Sequence, residues 1–379
     1  MRIAIIAGEA SGDVLGGSLL TALKNHYPGA DFFGIGGEKM QAAGLRSLYP
    51  LETLSVMGLV EVLKHLPELL NIRRELFSLF TQDPPDIFIG IDAPDFNLGL
   101  ERRLKKRGIK TAHYVSPTVW AWREGRTKTI RKSVDCLLSL FPFETEFLRQ
   151  RNVPATYVGH PAADRIPLEP PFQQAREKLG ISAKDQLIAI LPGSRGSEIE
   201  SLASDFISTA TLLAQRFPKA RFAVPLANQR VADLFHQQLD QQADAPPMLC
   251  LDGQADDVLA ASDVALMASG TVTLEALLHK CPMVVAYRLN ALTYRILKIF
   301  RLIKINYMAL PNLLADEYLA PEFIQHQVQP ELMADAVSEL LNNPELHQKR
   351  QQQFYEIHQQ LQCNSAERAA DAIVEVLNS

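Results

Sequence analysis

The stretch RIAIIAGEASGD, Arg2 to Asp13, combines an apolar run, a glycine-containing turn and the start of a helical pattern. A short, continuous apolar run bounded by a turn predicts a strand that is buried on both faces. The same order of strand, small-residue turn and helix recurs along the chain, for example from QLIAILPG onwards, Gln186 to Gly193. This alternation predicts an α/β fold, in which helices cover both faces of parallel sheets.

The alternating pattern occurs in two sets, separated by the proline-rich segment IPLEPPF at Ile166–Phe172. Proline disfavours both helix and strand, so this segment marks a hinge. We therefore expect two doubly wound domains, residues 1–166 and 172–345, that face each other across a cleft. We expect residues 346–379 to form helices that pack back towards the first domain. In such sheets, ligands bind beyond the carboxyl ends of the strands.

The composition excludes several classes of partner. The 379 residues are 47% hydrophobic and 21% charged, and the net charge of -5 argues against nucleic acid as the main partner. The four cysteines lack metal-binding spacing, and no Asp-x-Asp offers a site for a divalent ion, so we expect no metal or other cofactor. No uncharged apolar run reaches the ~18 residues of a membrane span. We expect a cytoplasmic protein.

The loop LPGSRGSEIE, residues 191–200, follows a predicted strand of the second set. Ser197 and Glu200 have the spacing of a capping box, which predicts that a helix begins there. A guanidinium beside a helix N-terminus suits a diphosphate, although a solvated Arg195 in a capped turn is the alternative. The candidate phosphate contacts are Gly193, Ser194 and Arg195.

The segment ASGTVTLEAL, residues 268–277, repeats this arrangement after another strand. Its small-residue turn consists of Ser269, Gly270 and Thr271. Glu275 lies four residues beyond Thr271, so both share one helical face. A carboxylate there can accept hydrogen bonds from both ribose hydroxyls, while the turn holds phosphate. A solvated helical Glu275 is the alternative, but the neighbouring Arg195 loop favours a nucleotide site.

The first half of the chain carries, after its strands, residues that could bind a sugar acting as the acceptor of a transferred group. Glu9, Ser11 and Asp13 suit sugar hydroxyls better than phosphate, unless Ser11 or Asp13 only caps the helix. Asp92 follows the strand DIFI. Asp95 is positioned as a helix N-cap, which leaves Asp92 as the candidate general base. The loop HYVSPTVWAW contains two tryptophans that either stack on a sugar or anchor the loop. It adds two acceptor-side candidates, His113 and Ser116.

The segment VMGLVEVLKHLPELLNIRRELFSLF, Val56 to Phe80, has apolar residues around more than half of a helix. One domain surface can hardly bury all of them, so we predict that it enters the bilayer interface. The basic segment at 287–304 suits anionic headgroups. The predicted membrane-facing residues are Val60, Val62, Leu63, Leu66, Leu69, Leu70, Arg295, Lys298 and Arg301. The alternative is that both segments are core or homodimer-interface helices.

Nine motifs, in the same order, resemble the lipid-A-disaccharide synthase family. They are AGEASGD, MGLVEVL, GIDAPDFN, HYVSPTVWAW, VGHP, LPGSRGSE, ASGT with Glu275, KCPMVV and LPNLLA. The resemblance implies a glycosyltransferase of the GT-B type. It implies transfer, with inversion, of a 2,3-diacylglucosaminyl group from UDP to 2,3-diacylglucosamine 1-phosphate. The product is a β-1,6-linked disaccharide for lipid A, made at the cytoplasmic face of the inner membrane.

The resemblance also assigns roles to individual residues. The family's essential aspartate falls on Asp92, its phosphate-contacting arginine on Arg195 and the ribose glutamate of related enzymes on Glu275. Asn312, within LPNLLA, is expected near the donor. The alternatives are another GT-B glycosyltransferase acting on a lipid-linked sugar, a UDP-sugar 2-epimerase and a non-catalytic sensor. The apolar segment Val56–Phe80 counts against the epimerase, which needs no apolar acceptor surface.

Overall fold

The structure is a computed structural model, which describes residues 1–54, 59–120, 124–289 and 307–379, with backbone alone for 59–64. The chain divides into two compact units. The first comprises Met1–Asp164 together with Leu361–Ser379, and the second comprises Arg165–Gln360.

The first unit contains a sheet of seven parallel strands among its described residues, in the order β3-β2-β1-β4-β5-β6-β7. The strands are β1 Arg2–Ala7, β2 Asp31–Ile35, β3 Arg46–Tyr49, β4 Ile87–Ile91, β5 Lys110–Tyr114, β6 Cys136–Ser139 and β7 Ala155–Tyr157. Residues that alternate along a strand face opposite sides of the sheet, and both sides are buried here. The continuous apolar run of β1 follows from that double burial.

Helices cover both faces of this first sheet. They are α1 Ala10–His26, α2 Glu38–Ala42, α3 Leu59–Gln82, α4 Pro94–Lys105, α5 Thr127–Ser133, α6 Pro142–Arg149 and α7 Pro161–Arg165, the last of which ends at the unit boundary. Ile3 and Ile5 of β1 pack in one apolar cluster with Leu19 of α1. Ala4 and Ile6 pack in another with side chains of α3 and α4.

The second unit contains a sheet of six parallel strands among its described residues, in the order β10-β9-β8-β11-β12-β13. The strands are β8 Leu187–Leu191, β9 Arg221–Leu226, β10 Met248–Asp252, β11 Val264–Ala268, β12 Met283–Tyr287 and β13 Glu322–Ile324. The described helices are α8 Phe172–Lys178, α9 Gly196–Arg216, α10 Gln229–Asp240, α11 Ala255–Ala261, α12 Val272–Leu278, α13 Leu310–Ala315, α14 Pro330–Asn342 and α15 Pro344–Leu361. The prediction of two parallel α/β sheets is confirmed.

The last helix, α16 at Ser365–Asn378, belongs to the first unit. Its Ala369 and Ile373 join the same apolar cluster as α1. The carboxylate of Asp164 accepts hydrogen bonds from the backbone N–H groups of Cys363, Asn364 and Ser365 at 2.7–2.9 Å. These bonds satisfy donors at the start of α16 that have no partner within the helix.

Helix α3 buries one stripe and exposes another. Ile72, Leu76 and Phe80, four residues apart, are buried against the sheet. Leu66 is 41% exposed, whereas Leu69 and Leu70 are half-buried. Six predicted membrane-facing side chains lie outside the described ones: Val60, Val62, Leu63, Arg295, Lys298 and Arg301. Among the described helices, none is long and apolar enough to cross a membrane.

Candidate active site

The second unit has a cavity of about 540 Å³ at the carboxyl ends of its strands. Leu191, Leu226, Ala268 and Tyr287, which end four different strands, contribute to its wall. Seven of the predicted donor-binding residues also line it: Gly193, Ser194, Arg195, Ser269, Gly270, Thr271 and Glu275. The fold therefore brings together two loops that are about seventy residues apart in the sequence.

The Arg195 loop has a different cap from the predicted one. Helix α9 begins at Gly196, and the carboxylate of Glu198 accepts hydrogen bonds from the N–H groups of Ser194 at 2.9 Å and Arg195 at 3.2 Å. The capping box predicted at Ser197 and Glu200 is therefore wrong by two residues. The Arg195 side chain is 73% exposed and lies 3.8 Å from Glu198. The loop thus presents both the Arg195 cation and the Glu198 carboxylate to the cavity.

Gly193 is required by the shape of this loop. Its φ of +130° is a backbone conformation that residues with a side chain rarely adopt. A Cβ there would also overlap the side chain of Glu198, whose Oε2 lies 2.5 Å from the position it would take. The glycine therefore allows Glu198 to fold back onto the loop and fix its conformation.

The turn at Ser269–Thr271 is fixed by a hydrogen bond to the segment around Met308. The Ser269 hydroxyl donates a hydrogen bond to the carbonyl of Met308 at 3.3 Å. The carboxylate of Glu322 accepts from the backbone N–H of Met308 at 2.9 Å. Helix α12 starts at Val272, and the N–H groups of Thr273 and Leu274 already donate to the carbonyls of Gly270 at 3.1 Å and Thr271 at 2.9 Å.

Asn312 supports this arrangement instead of lining the cavity. Its side chain is fully buried, and its Nδ2 donates to the carbonyl of Ala320 at 2.8 Å and to Glu322 Oε1 at 2.7 Å. Its Oδ1 accepts from the N–H groups of Leu319 and Ala320, both at 2.7 Å. Since these bonds occupy its amide, Asn312 lies behind the cavity and contacts its wall only indirectly, through Glu322.

Glu275 lies beside a charged cluster of the second unit. Asp256 is bonded to Arg165 at 2.6 Å and to His279 at 3.1 Å. His279 and Arg165 hold the pKa of the Asp256 carboxyl well below its usual range. Burial raises the pKa of Glu275, and the negative charge of Asp256 raises it further, whereas Arg165 and His279 oppose the shift. The charge of Glu275 is therefore sensitive to its neighbours.

Asp92 of the first unit sits in a strained turn between β4 and α4. Asp92 and Ala93 have φ values of +53° and +42°, where residues other than glycine cost about 1–2 kcal/mol each. Asp92 Oδ1 accepts from the N–H of Ala93 at 2.8 Å, and Oδ2 has no hydrogen-bond partner among the described residues. The predicted N-cap role of Asp95 is wrong, because Ala93 is the N-cap and the exposed Asp95 pairs with Arg126.

The structure separates the acceptor-side candidates. Glu9 and Ser11 are exposed at the start of α1. Asp13 is instead buried, and its carboxylate caps α2 by accepting from the N–H groups of Gly37, Lys39 and Met40 at 2.7–3.0 Å. The carboxylate of Asp13 is thus engaged by backbone and not presented to a sugar.

His113 and Ser116 also differ from the expectation of open loop residues. His113 lies within β5, is fully buried and contacts Glu101 at 2.7 Å. Ser116 is buried, and its hydroxyl bonds to the carbonyl of Pro117 at 3.2 Å. Trp120 anchors its loop, because its indole N–H donates to Glu144 at 2.9 Å. The second tryptophan, Trp122, lies outside the described residues.

Among the cavity-lining residues that the sequence did not single out, two have polar side chains, Glu198 and Tyr287. Tyr287 ends β12, so the rule that ligands bind beyond strand ends could have found it. Glu198 gave no separate signal, since a glutamate in the first turn of a helix is common. Among the described residues, no group of three or more His, Cys, Asp or Glu side chains could hold a metal ion.

A family model described as lipid-A-disaccharide synthetase matches residues 3–373. The chain belongs to the lipid-A-disaccharide synthase family. A lipid-A-disaccharide synthase from Alcanivorax borkumensis is 48% identical over 377 residues, which cover 100% of this chain and 98% of the relative. One from Alkalilimnicola ehrlichii is 49% identical over 376 residues, which cover 99% and 98%. The family resemblance drawn from the nine motifs is therefore confirmed.

The fold of this lipid-A-disaccharide synthase family member also occurs in more distant solved structures. A UDP-GlcNAc 2-epimerase from Neisseria meningitidis, bound to UDP-GlcNAc, matches with a TM-score of 0.65, 14% identity and full coverage of both chains. The calicheamicin glycosyltransferase CalG4 matches with a TM-score of 0.61, 13% identity and coverage of 100% and 98%. At such identities the likeness shows the fold alone. It confirms the predicted GT-B class of two parallel-sheet α/β domains.

Proposed function

We propose that this chain transfers a 2,3-diacylglucosaminyl group from UDP to the 6-hydroxyl of 2,3-diacylglucosamine 1-phosphate. The products are UDP and a β-1,6-linked disaccharide 1-phosphate, with inversion at the anomeric carbon. The observation that carries this proposal is the cavity of the second unit, where seven residues assigned to a UDP-sugar converge. The family to which the chain belongs supports the disaccharide product.

The donor cavity suits a uridine diphosphate in size and chemistry. Its volume of about 540 Å³ lies within the usual range for small-molecule sites. Glu275 would accept hydrogen bonds from the ribose hydroxyls, and the turn at Ser269–Thr271 would hold the diphosphate. Arg195 is exposed enough to swing onto the phosphate and stabilise the negative charge that develops as UDP leaves.

Asp92 would act as the general base. The oxygen of the acceptor 6-hydroxyl attacks the anomeric carbon, and the bond from that carbon to UDP breaks. The hydroxyl proton passes to Asp92 Oδ2, which is the carboxylate oxygen without a partner among the described residues. UDP leaves with the bonding electron pair. A positioned base of this type contributes typically ~10²–10⁴-fold to the rate.

The acyl chains of both substrates require an apolar surface, and α3 supports a peripheral attachment to the inner membrane. Leu66 and Leu79 are each 41% exposed on that helix. Exposed leucines on a helix that also carries exposed basic residues, here Arg74, are typical of helices that lie in the membrane interface. Cover by a second copy of the chain, in a homodimer, is the competing use of this surface.

The test measures UDP release from the diacylated donor. We expect release only when the diacylated acceptor is added, and little when the acceptor lacks acyl chains. Release without acceptor would contradict the proposed transfer. Conversion of the donor into its 2-epimer would instead support the epimerase alternative. Binding of donor without any turnover would support a sensor.

A further inference from the structure

A buried polar cluster lies in the first unit, directly beneath Asp92. It consists of Asn97, Glu101 and His113, whose side chains are all fully buried. Asn97 and Glu101 share one face of α4, since they are four residues apart. His113 lies on β5, next to Gly90 of β4 in the sheet register. The clusters around these three polar side chains are apolar, so water does not reach them to form hydrogen bonds.

The cluster is only partly paired. His113 Nδ1 lies 2.7 Å from Glu101 Oε1. Three buried atoms have no hydrogen-bond partner among the described residues: Asn97 Oδ1, Glu101 Oε2 and His113 Nε2. Burial raises the pKa of the Glu101 carboxyl, and His113 opposes that shift. Such an arrangement destabilises a folded chain, so its presence requires a reason other than stability.

Gly90 makes room for the cluster. Glu101 Oε1 lies where a side chain on residue 90 would begin, and the Cβ and Cγ of Asn97 lie 2.8 and 2.9 Å from the same point. Any larger residue at this position would displace the two side chains. The strand that carries Asp92 at its end is therefore shaped to accept polar groups from α4.

Asn97 connects the cluster to the proposed base. Its Nδ2 donates to the backbone carbonyl of Asp92 at 2.9 Å. The N–H of Asp92 donates to the carbonyl of Tyr114 at 2.9 Å, so the residue is held from both sides. A left-handed backbone at a residue other than glycine persists only where its surroundings impose it.

We propose that Asn97, Glu101 and His113 are positioning residues for Asp92. Asn97 fixes the left-handed backbone of Asp92, and the Glu101–His113 pair fixes the face of α4 from which Asn97 reaches it. The unpaired oxygen of Asp92 is thereby held towards the acceptor. This inference rests on the proposed function, because it takes Asp92 to be the base.

The decisive variant is Asn97→Ala. We expect kcat to fall by ~10–100-fold, the size of effect that a misplaced catalytic group produces. The KM for the donor and the Kd for UDP should stay within a factor of about two, because the donor cavity belongs to the second unit. A crystal structure of the variant should show residue 92 relaxed from its positive φ.

Thr111→Val is the matched control. Thr111 is also fully buried on β5, two residues before His113, and its hydroxyl donates to the carbonyl of Ser133 at 2.9 Å. It makes no hydrogen bond to Asp92. The control should lower the melting temperature as Asn97→Ala does, but its kcat should stay within a factor of about two.

Three results would overturn the inference: an unchanged kcat in Asn97→Ala, an equal loss of kcat in Thr111→Val, or a loss of kcat accompanied by an equal loss of UDP affinity.

If Asn97→Ala does not fold, Glu101→Gln and Glu101→Leu provide the test. Glu101→Gln can still bond His113 and should keep the rate, whereas Glu101→Leu should lose it; equal rates would refute the idea. Asp92→Asn, measured in parallel, separates the two proposals. Retained turnover in Asp92→Asn would refute both the general-base role and the positioning role. An inactive Asp92→Asn together with an active Asn97→Ala would refute only the positioning role.

Discussion

Glu275→Ala should weaken the binding of UDP much more than the binding of pyrophosphate. The carboxylate lines the donor cavity, and it would accept hydrogen bonds from the ribose, which pyrophosphate lacks. Hydrogen bonds to a charged group contribute about 1.5–3 kcal/mol. This corresponds to a roughly 10- to 150-fold increase in the Kd for UDP, since about 1.4 kcal/mol is tenfold. The Kd for pyrophosphate should change little.

The same carboxylate should give UDP binding a dependence on pH. Burial and Asp256 raise the pKa of Glu275, so its charge is present above that raised pKa and is lost as the pH falls through it. Affinity for UDP should therefore decline on the acidic side. Asp256→Asn removes a like charge and should move the decline to lower pH. Arg165→Met removes an opposing charge and should move it to higher pH.

Isothermal titration calorimetry, from weakly acidic to neutral pH, measures both effects. The terminal phosphate of UDP itself titrates near pH ~6, so part of any pH dependence belongs to the ligand. Glu275→Gln is the control, because it keeps the titration of UDP and removes that of the side chain. A constant ratio of wild-type to Glu275→Gln affinity across pH would refute the reasoning. So would an equal loss of UDP and pyrophosphate affinity in Glu275→Ala.

Three further predictions concern the base, the leaving group and the membrane. Asp92→Asn should lower kcat by more than about tenfold and leave UDP affinity unchanged, whereas the exposed neighbour Asp95→Asn should keep its rate. Arg195→Ala should weaken UDP about tenfold in calorimetry with a chelator present, and a strict magnesium requirement would contradict a metal-free site. Replacing three leucines of α3 with Ser should release the protein from anionic liposomes and leave its UDP affinity intact. Unfolding of this variant would show that the three leucines belong to the hydrophobic core. The leucines are Leu66, Leu69 and Leu70.

The fold class, and seven residues that line the candidate donor cavity, could be predicted from the sequence. Apolar runs such as β1 and β8 are buried on both faces, and that burial dictates their composition before any tertiary contact is known. Parallel strands also present their carboxyl ends at one edge of a sheet. Gly193–Arg195, Ser269–Thr271 and Glu275 follow two such strands, and the sequence predicts one site for them from this placement, from their phosphate- and ribose-binding chemistry and from the family resemblance.

The roles of other polar residues were decided only by the tertiary structure. Asp13 caps α2, Asn312 supports the loop behind the donor cavity, and His113 is buried against Glu101. In the sequence, each of them looks like a ligand-binding residue placed near a strand end or turn. Whether a carboxylate, amide or imidazole binds a ligand depends on whether backbone or side chains already occupy its hydrogen-bonding atoms.

The sequence by itself thus determined where the strands end and which residues follow them, because the spacing of apolar residues and the composition reflect burial that is local to each strand. Only the folded chain decided which polar groups there remain available. The carboxylate of Asp13 accepts a hydrogen bond from the backbone N–H of Lys39, and the Asn97 side chain donates one to the carbonyl of Asp92. Neither contact can be read from a local sequence pattern. The left-handed backbone of Asp92 has the same origin, since surrounding groups must impose a conformation that the residue itself disfavours.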